Sequence, residues 1–241
     1  MANGRLSTSI LINDSLLIDA GTGLGSLTVE EMLGIEDVFL THSHVDHIAA
    51  LSALGDMRLG RQAPLRLHAL PETLEALSRH FFNGVLWPDF TTLPHRDKPV
   101  FVHSPLTPGQ VVRSGSLQVR PFRAVHPVPA LGFTLDDGRS SLVFSGDTGP
   151  GGDLLERLHE RPVPDLLIVE CAFPDRYAEV AATAGHYTPR SLAVDLSAVS
   201  RPRRIAITHL KPGLESEIRR DCRRHELEDV TFLEDGQLFT L

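Results

Sequence analysis

Three histidines and an aspartate fall within six positions, in Thr41-His42-Ser43-His44-Val45-Asp46-His47, directly after the apolar run Val38-Phe39-Leu40. Such a run reads as a buried strand, and the residues after it as a loop of the kind on which sites are usually built. His42 and His44 alternate, so an extended chain points both the same way. Asp46 and His47 lie where Ile48, Leu51 and Leu54 begin a helical period. Imidazole and carboxylate at this density are ligand chemistry, and the geometry suits two metal ions side by side. The plain alternative is a polar turn with scattered histidines.

The pattern His-x-His-x-Asp-His after a strand resembles the signature of the metallo-β-lactamase superfamily. Members add a later His, an Asp and a final His from separate loops, and the chain offers candidates in that order. His126 stands at the end of the strand-like 117–122. Asp147 sits in Ser145-Gly146-Asp147-Thr148-Gly149 after Ser141-Leu142-Val143-Phe144, and His209 ends Ile205-Ala206-Ile207-Thr208. Alone, each is unremarkable, and the segment around Asp147 reads equally as a turn. The resemblance assigns His42, His44 and His126 to one metal and Asp46, His47 and His209 to the other, with Asp147 bridging. It also implies an α/β fold, a four-layer αβ/βα sandwich with both metals at one edge between two sheets, and a supporting role for Asp19 in Asp19-Ala20-Gly21.

Around these positions the chain alternates strand and helix, as layered α/β proteins do. Two β-type runs in 8–12 and 15–19 flank Asn13-Asp14, a hairpin turn. The glycines of 20–25 lack a βαβ setting for nucleotide binding and lead toward another strand. A helix follows the cluster to about Leu59. Leu65-Arg66-Leu67-His68 is a strand, and Pro71 opens a helix with its leucines on one face. His68 and His80 read as structural or surface residues. Residues 94–116, rich in Pro, Gly and Ser, form a surface excursion between two halves of one domain covering 1–241. Asp165-Leu166-Leu167-Ile168-Val169 is a buried strand ending at Glu170, and Gly185-His186-Tyr187-Thr188-Pro189 opens a helix. By resemblance to tRNase Z and the class II cyclic nucleotide phosphodiesterases, Glu170 and His186 assist proton transfer to a leaving group. A capped helix start with a hydrogen-bonded histidine is the other reading.

Aromatic residues make up only 6% of the chain, yet 80–90 holds His80-Phe81-Phe82-Asn83-Gly84-Val85-Leu86-Trp87-Pro88-Asp89-Phe90. Such a cluster is usually core. Alternatively, it is a flap offering Trp87 and Phe90 to a nucleobase. A phenylalanine-rich stretch running into Trp-Pro resembles the class II phosphodiesterase branch.

A net charge of −8 disfavours a partner that is a long polyanion, whereas two divalent cations can reverse the field locally for a small anion. No apolar run reaches membrane-spanning length, and residues 1–7 lack a leader's apolar region. Two cysteines are too few for a disulfide framework and fit a reducing compartment. Cys171 reads as core and Cys222, in a charged helix, as incidental. The expectation is a cytoplasmic protein without membrane partners. The resemblance thus implies a phosphodiesterase with two divalent metal ions, zinc or alternatively manganese or iron, that opens 3',5'-cyclic AMP or GMP to the 5'-monophosphate. Asp46, Glu170 and His186 are its catalytic residues, and a homodimer is compatible with it. The alternatives are a tRNase Z-like nuclease or broad phosphodiesterase and, from another class, a non-catalytic metal- and nucleotide-binding module.

Overall fold

The runs flanking Asn13-Asp14 pair as expected: β1 (Ile10–Ile12) and β2 (Leu16–Ile18) are antiparallel. Asn13 and Asp14 take φ of 46° and 61°, the left-handed conformation at both centres that matches a hairpin turn to strand twist. The computed structural model describes residues 5–61, 63–160 and 162–241, so part of the N-terminal reading, residues 1–4, lies outside the described residues. Two compact units, Leu6–Thr107 and a second containing Pro108–Leu241, divide the chain.

In the first unit, β3 (Asp37–Phe39) and β4 (Leu65–Ala69) follow the hairpin, then a short ladder of β5 (Pro94–His95) with β6 (Lys98–Pro99), then β7 (Phe101–Pro105). The five-stranded sheet runs β1-β2-β3-β4-β7, parallel from β2 onward. Its helices are α1 (Val29–Gly34), α2 (Val45–Ile48), α3 (Leu51–Arg58) and α4 (Pro71–Ala76). The helix α1 replaces the expected direct run from the glycines into a strand. Thr28 accepts from the Glu31 N–H while the Glu31 carboxylate accepts from the Thr28 N–H, a reciprocal cap that satisfies two otherwise unmatched donors. Leu17, Val38, Leu40, Leu51, Leu54 and Leu67 form the core. Beside it, buried Asp37 accepts from Arg66 and lies 2.7 Å from His68 Nε2, and the His68 ring stacks on Phe39 at 4.3 Å. His68 is therefore structural, as read.

The second unit contains β8 (Val112–Ser114), β9 (Leu117–Arg123), β10 (Leu131–Asp136), β11 (Ser141–Phe144), β12 (Leu166–Glu170), β13 (Ile205–Thr208) and β14 (Val230–Phe232), in sheet order β14-β13-β12-β11-β10-β9-β8. Strands β9 and β11 are both antiparallel to β10, so they run the same way, and β12 and β13 continue parallel to β11. The C-terminal ends of β9, β11, β12 and β13 consequently share one edge of the sheet. All five residues of β12 are buried, as a strand covered on both faces requires. Among the described residues the unit's α-helices are α5 (Asp153–His159), α6 (Ala178–Ala184), α7 (Pro189–Ala198) and α8 (Glu215–Arg224). Cys222 is not incidental: on α8 it is buried with Ile218, one turn away on the same face, in the core cluster that also holds Cys171. Among the described residues, no helix is long and apolar enough to cross a membrane.

Candidate metal centre

The expected ligands fall into two groups, one in each unit. In the first unit, β3 delivers the chain to His42 and His44, and α2 carries Asp46 and His47. The His42 ring centroid lies 4.5 Å from that of His44 and 4.3 Å from that of His47. Asp46 Oδ2 is 3.8 Å from His47 Nε2. Fully buried Asp19 organises this group. Its carboxylate accepts from Thr41 N at 2.8 Å and Thr41 Oγ1 at 2.8 Å, and meets His47 Nδ1 at 2.6 Å. Burial pushes the Asp19 carboxyl above its ordinary range, while the His47 and Thr41 donors act in the opposite direction.

These contacts determine which ring nitrogen carries a proton. An ionised carboxylate only accepts, so His47 donates from Nδ1 and presents the lone pair of Nε2. The single hydroxyl proton of Thr41 goes to Asp19. Thr41 Oγ1 therefore accepts from His42 Nδ1, 2.9 Å away, and His42 also presents Nε2. The approach is close enough to demand glycine at Gly21, where a Cβ would lie 2.2 Å from the Asp46 carbonyl oxygen.

In the second unit, His126 follows β9, Asp147 follows β11, Glu170 ends β12 and His209 follows β13, so all four emerge at the shared edge. His126, Asp147 and His186 offer ligand atoms within 4.8 Å of one another. Asp147 Oδ2 is 3.1 Å from His209 Nε2, and the rings of His186 and His209 stack at 5.4 Å. The Gly185 carbonyl accepts from His126 Nδ1 at 3.1 Å, which again leaves the lone pair on Nε2. Gly185 caps α6 at φ 65°, and a Cβ there would lie 2.9 Å from His126 Cα.

Glu170 is fully buried, and its Oε1 lies 2.6 Å from His186 Nδ1. The N–H groups of Thr148, Ala172 and Tyr187 also point at this carboxylate, at 2.8, 3.1 and 3.3 Å. Burial, and then the Asp147 charge, push the Glu170 carboxyl well above its usual range, and the Thr148 and Tyr187 N–H groups oppose that rise. Below it, Tyr187 donates to Asp195 at 2.7 Å, bracing the turn that carries His186.

These residues fit divalent cations. Neutral imidazoles with oriented Nε2 donors and nearby carboxylates are the ligand set of zinc-type sites, and such Nδ1 partners are what orient metal-ligating histidines. Thr41 and Lys211 were missed in the sequence. Thr41 opens the motif as a plain hydroxyl, and only the Asp19 geometry reveals its use. Lys211, two residues beyond His209, has its Nζ 3.1 Å from His209 Nε2.

The aromatic stretch divides. Phe90, 1% exposed, packs against Phe82 and Phe101 at centroid distances of 5.8 and 5.2 Å. It is core, not a surface for substrate, because the β7 side of the sheet needs its ring. Trp87 is 37% exposed and helps line a cleft of about 630 Å³ with Leu86, Pro88 and Thr92. The loop before it is held by Asn83 Oδ1, which accepts from the N–H groups of Val85 and Leu86 at 2.9 Å.

A family model described as a beta-lactamase superfamily domain matches residues 15–210. The chain is 25% identical to 3',5'-cyclic-nucleotide phosphodiesterase 1 of Saccharomyces cerevisiae, an alignment covering 86% of this chain and 63% of the yeast protein, so it spans less than two thirds of that relative. It is 26% identical to ribonuclease Z of a Bradyrhizobium species, covering 81% of this chain and 79% of the other. Among solved structures, the metallo-beta-lactamase fold protein YhfI of Bacillus subtilis superposes with a TM-score of 0.76 at 20% identity, covering 98% and 92% of the two chains. Unliganded yeast PDE1 superposes with a TM-score of 0.71 at 24% identity, covering 86% and 69%. These likenesses show the metallo-β-lactamase fold, and the named sequence relatives are hydrolases. The chain belongs to the beta-lactamase superfamily.

Proposed function

We propose that this chain is a cytoplasmic phosphodiesterase that opens 3',5'-cyclic nucleotides to 5'-monophosphates, with His42, His44, Asp46, His47, His126, Asp147 and His209 holding two divalent cations. When bound, zinc, or manganese or iron in its place, would supply Lewis acidity to the phosphoryl group and acidify a water molecule. The observation that carries the reading is the contact of His186 Nδ1 with Glu170 Oε1 at 2.6 Å, at the edge where His126 and Asp147 emerge. A cyclic nucleotide expels an alkoxide, O3' of its ribose, which needs a proton. His186, held by Glu170, donates it from Nε2, and general-acid catalysis of this kind typically contributes about 10²–10⁴-fold. Asp46, beside His47, accepts a proton from attacking water. Trp87 stacks on the base.

His186→Ala tests the assignment. Turnover of a cyclic nucleotide is expected to fall far more than turnover of a nitrophenyl phosphodiester, whose phenolate leaves without a proton, and metal content is expected to stay unchanged. Equal losses on both substrates remove the general-acid role, and lost metal makes His186 a ligand. The second reading, a nuclease, is favoured by the ribonuclease Z relatives and opposed by the net charge of −8. A binding module without turnover has no use for the Glu170–His186 pair.

A further inference from the structure

We infer that Lys211 is the side chain that grips the phosphoryl group, donating from Nζ to a non-bridging oxygen of the substrate and of the phosphate product; the inference rests on the phosphodiesterase reading above. The loop after β13 holds this lysine at the sheet edge that carries the second unit's candidate ligands. Lys211 N donates to the Ala172 carbonyl at 3.1 Å, just past the end of β12, and the Lys211 carbonyl accepts from Leu214 N at 3.1 Å. His209, at φ 60°, turns the chain sharply enough to bring the residue two positions on back toward its own ring. As a result Lys211 Nζ lies 3.1 Å from His209 Nε2 and 5.8 Å from the centroid of Phe173, whose ring is 5.7 Å from His186.

His209 and Lys211, from the loop after β13, and His186, from the turn between α6 and α7, therefore converge. One lone pair cannot serve two partners: when a cation holds His209 Nε2, the tethered ammonium remains beside the cluster and donates to the anion bound there. Charge makes this placement useful. A phosphodiester carries one negative charge, and its hydrolysis product carries up to two, so a fixed cation at this edge stabilises the late transition state and product more than the bound substrate. Lysine suits the task as a compact point charge on a flexible stem.

The test uses inorganic phosphate as the probe. Its dissociation constant for the zinc-loaded full chain is measured by calorimetry in the unaltered protein, Lys211→Ala, Lys211→Met and Lys211→Arg, with metal content and nitrophenyl phosphodiester kinetics recorded in parallel. Loss of a charge-assisted hydrogen bond to a phosphate oxygen is expected to weaken phosphate binding about 10- to 100-fold in the Ala and Met variants. Arg is expected to restore most of it, zinc content is expected to be unchanged in all four, and kcat is expected to fall more than KM rises. Unchanged phosphate affinity in Lys211→Ala overturns the inference. So does loss of zinc in that variant, which would make Lys211 a brace for His209. If the unaltered protein binds phosphate through Lys211 yet cleaves no phosphodiester, the phosphodiesterase reading fails while the anion grip stands. If it cleaves phosphodiesters with Lys211 replaced and phosphate binding intact, only the inference fails.

Discussion

Replacing Asp19 with Asn changes one atom's chemistry and leaves its volume almost untouched. Thr41 N donates to Oδ1 at 2.8 Å, so the amide oxygen must stay on that side. The amide NH₂ then takes the place of Oδ2, facing His47 Nδ1, now 2.6 Å from a carboxylate oxygen, and Thr41 Oγ1 at 2.8 Å. A donor there forces His47 Nδ1 to accept, which moves the ring proton to Nε2 and removes the lone pair that a metal needs. Thr41 also loses the nearer of its two hydroxyl acceptors and keeps only the Oδ1 side, at 3.0 Å, which shifts the hydroxyl that holds His42 Nδ1 at 2.9 Å. Changes to groups that orient ligating histidines weaken metal binding about 10- to 100-fold, or about 1.4–2.7 kcal/mol. Competition with a chromophoric chelator measures the zinc affinity, and thermal unfolding with excess chelator checks that the fold survives. Because burial penalises the Asp19 charge, the neutral Asn is expected to leave the chelated protein's Tm within a few degrees of the original. Unchanged zinc affinity with an intact fold would refute the tautomer argument.

Three further perturbations separate core from site. Phe90→Ala leaves a cavity between Phe82 and Phe101 and is expected to destabilise the protein by about 3–5 kcal/mol in denaturant unfolding; a loss below about 1 kcal/mol would contradict its core placement. Trp87→Ala, at a partly exposed position, is expected to spare the Tm while raising KM for cyclic nucleotides and not for a nitrophenyl phosphodiester; equal KM on both substrates would dismiss base stacking. Gly185→Ala places a side chain in a left-handed conformation, at about 1–2 kcal/mol, and against the His126 backbone, so both Tm and zinc affinity are expected to drop. Loss of stability alone would show that His126 is not set by this cap.

The sequence revealed strand ends better than anything else. His42, Asp147, Glu170 and His209 each follow or close a short apolar run, His126 follows an alternating one, and all these runs are strands. Apolar runs report burial directly, whereas short helices report little: α5 and α6 have seven residues each and were not foreseen. The helix α1 is legible in principle, since Thr28-Val29-Glu30-Glu31 is a capping box, although the glycines before it read as leading toward another strand. Cys222 was misread because the four arginines of α8 mask its apolar face. The pairing of Asp37 with Arg66 depends on the parallel register of β3 and β4, which places those residues opposite each other across 29 positions of chain. No local pattern encodes that register. The same holds for Thr41 and Lys211, whose partners are set by backbone turns at Asp19 and His209 with φ of 55° and 60°.

The most direct test of the account is product analysis. The protein, loaded separately with zinc and manganese, is incubated with 3',5'-cyclic AMP, 3',5'-cyclic GMP, 2',3'-cyclic AMP and a nitrophenyl phosphodiester, with Asp147→Ala as control, and products are resolved by chromatography. The account predicts metal-dependent 5'-AMP or 5'-GMP, absent in the control. Cleavage of the nitrophenyl ester alone, or product that survives Asp147→Ala, would contradict it.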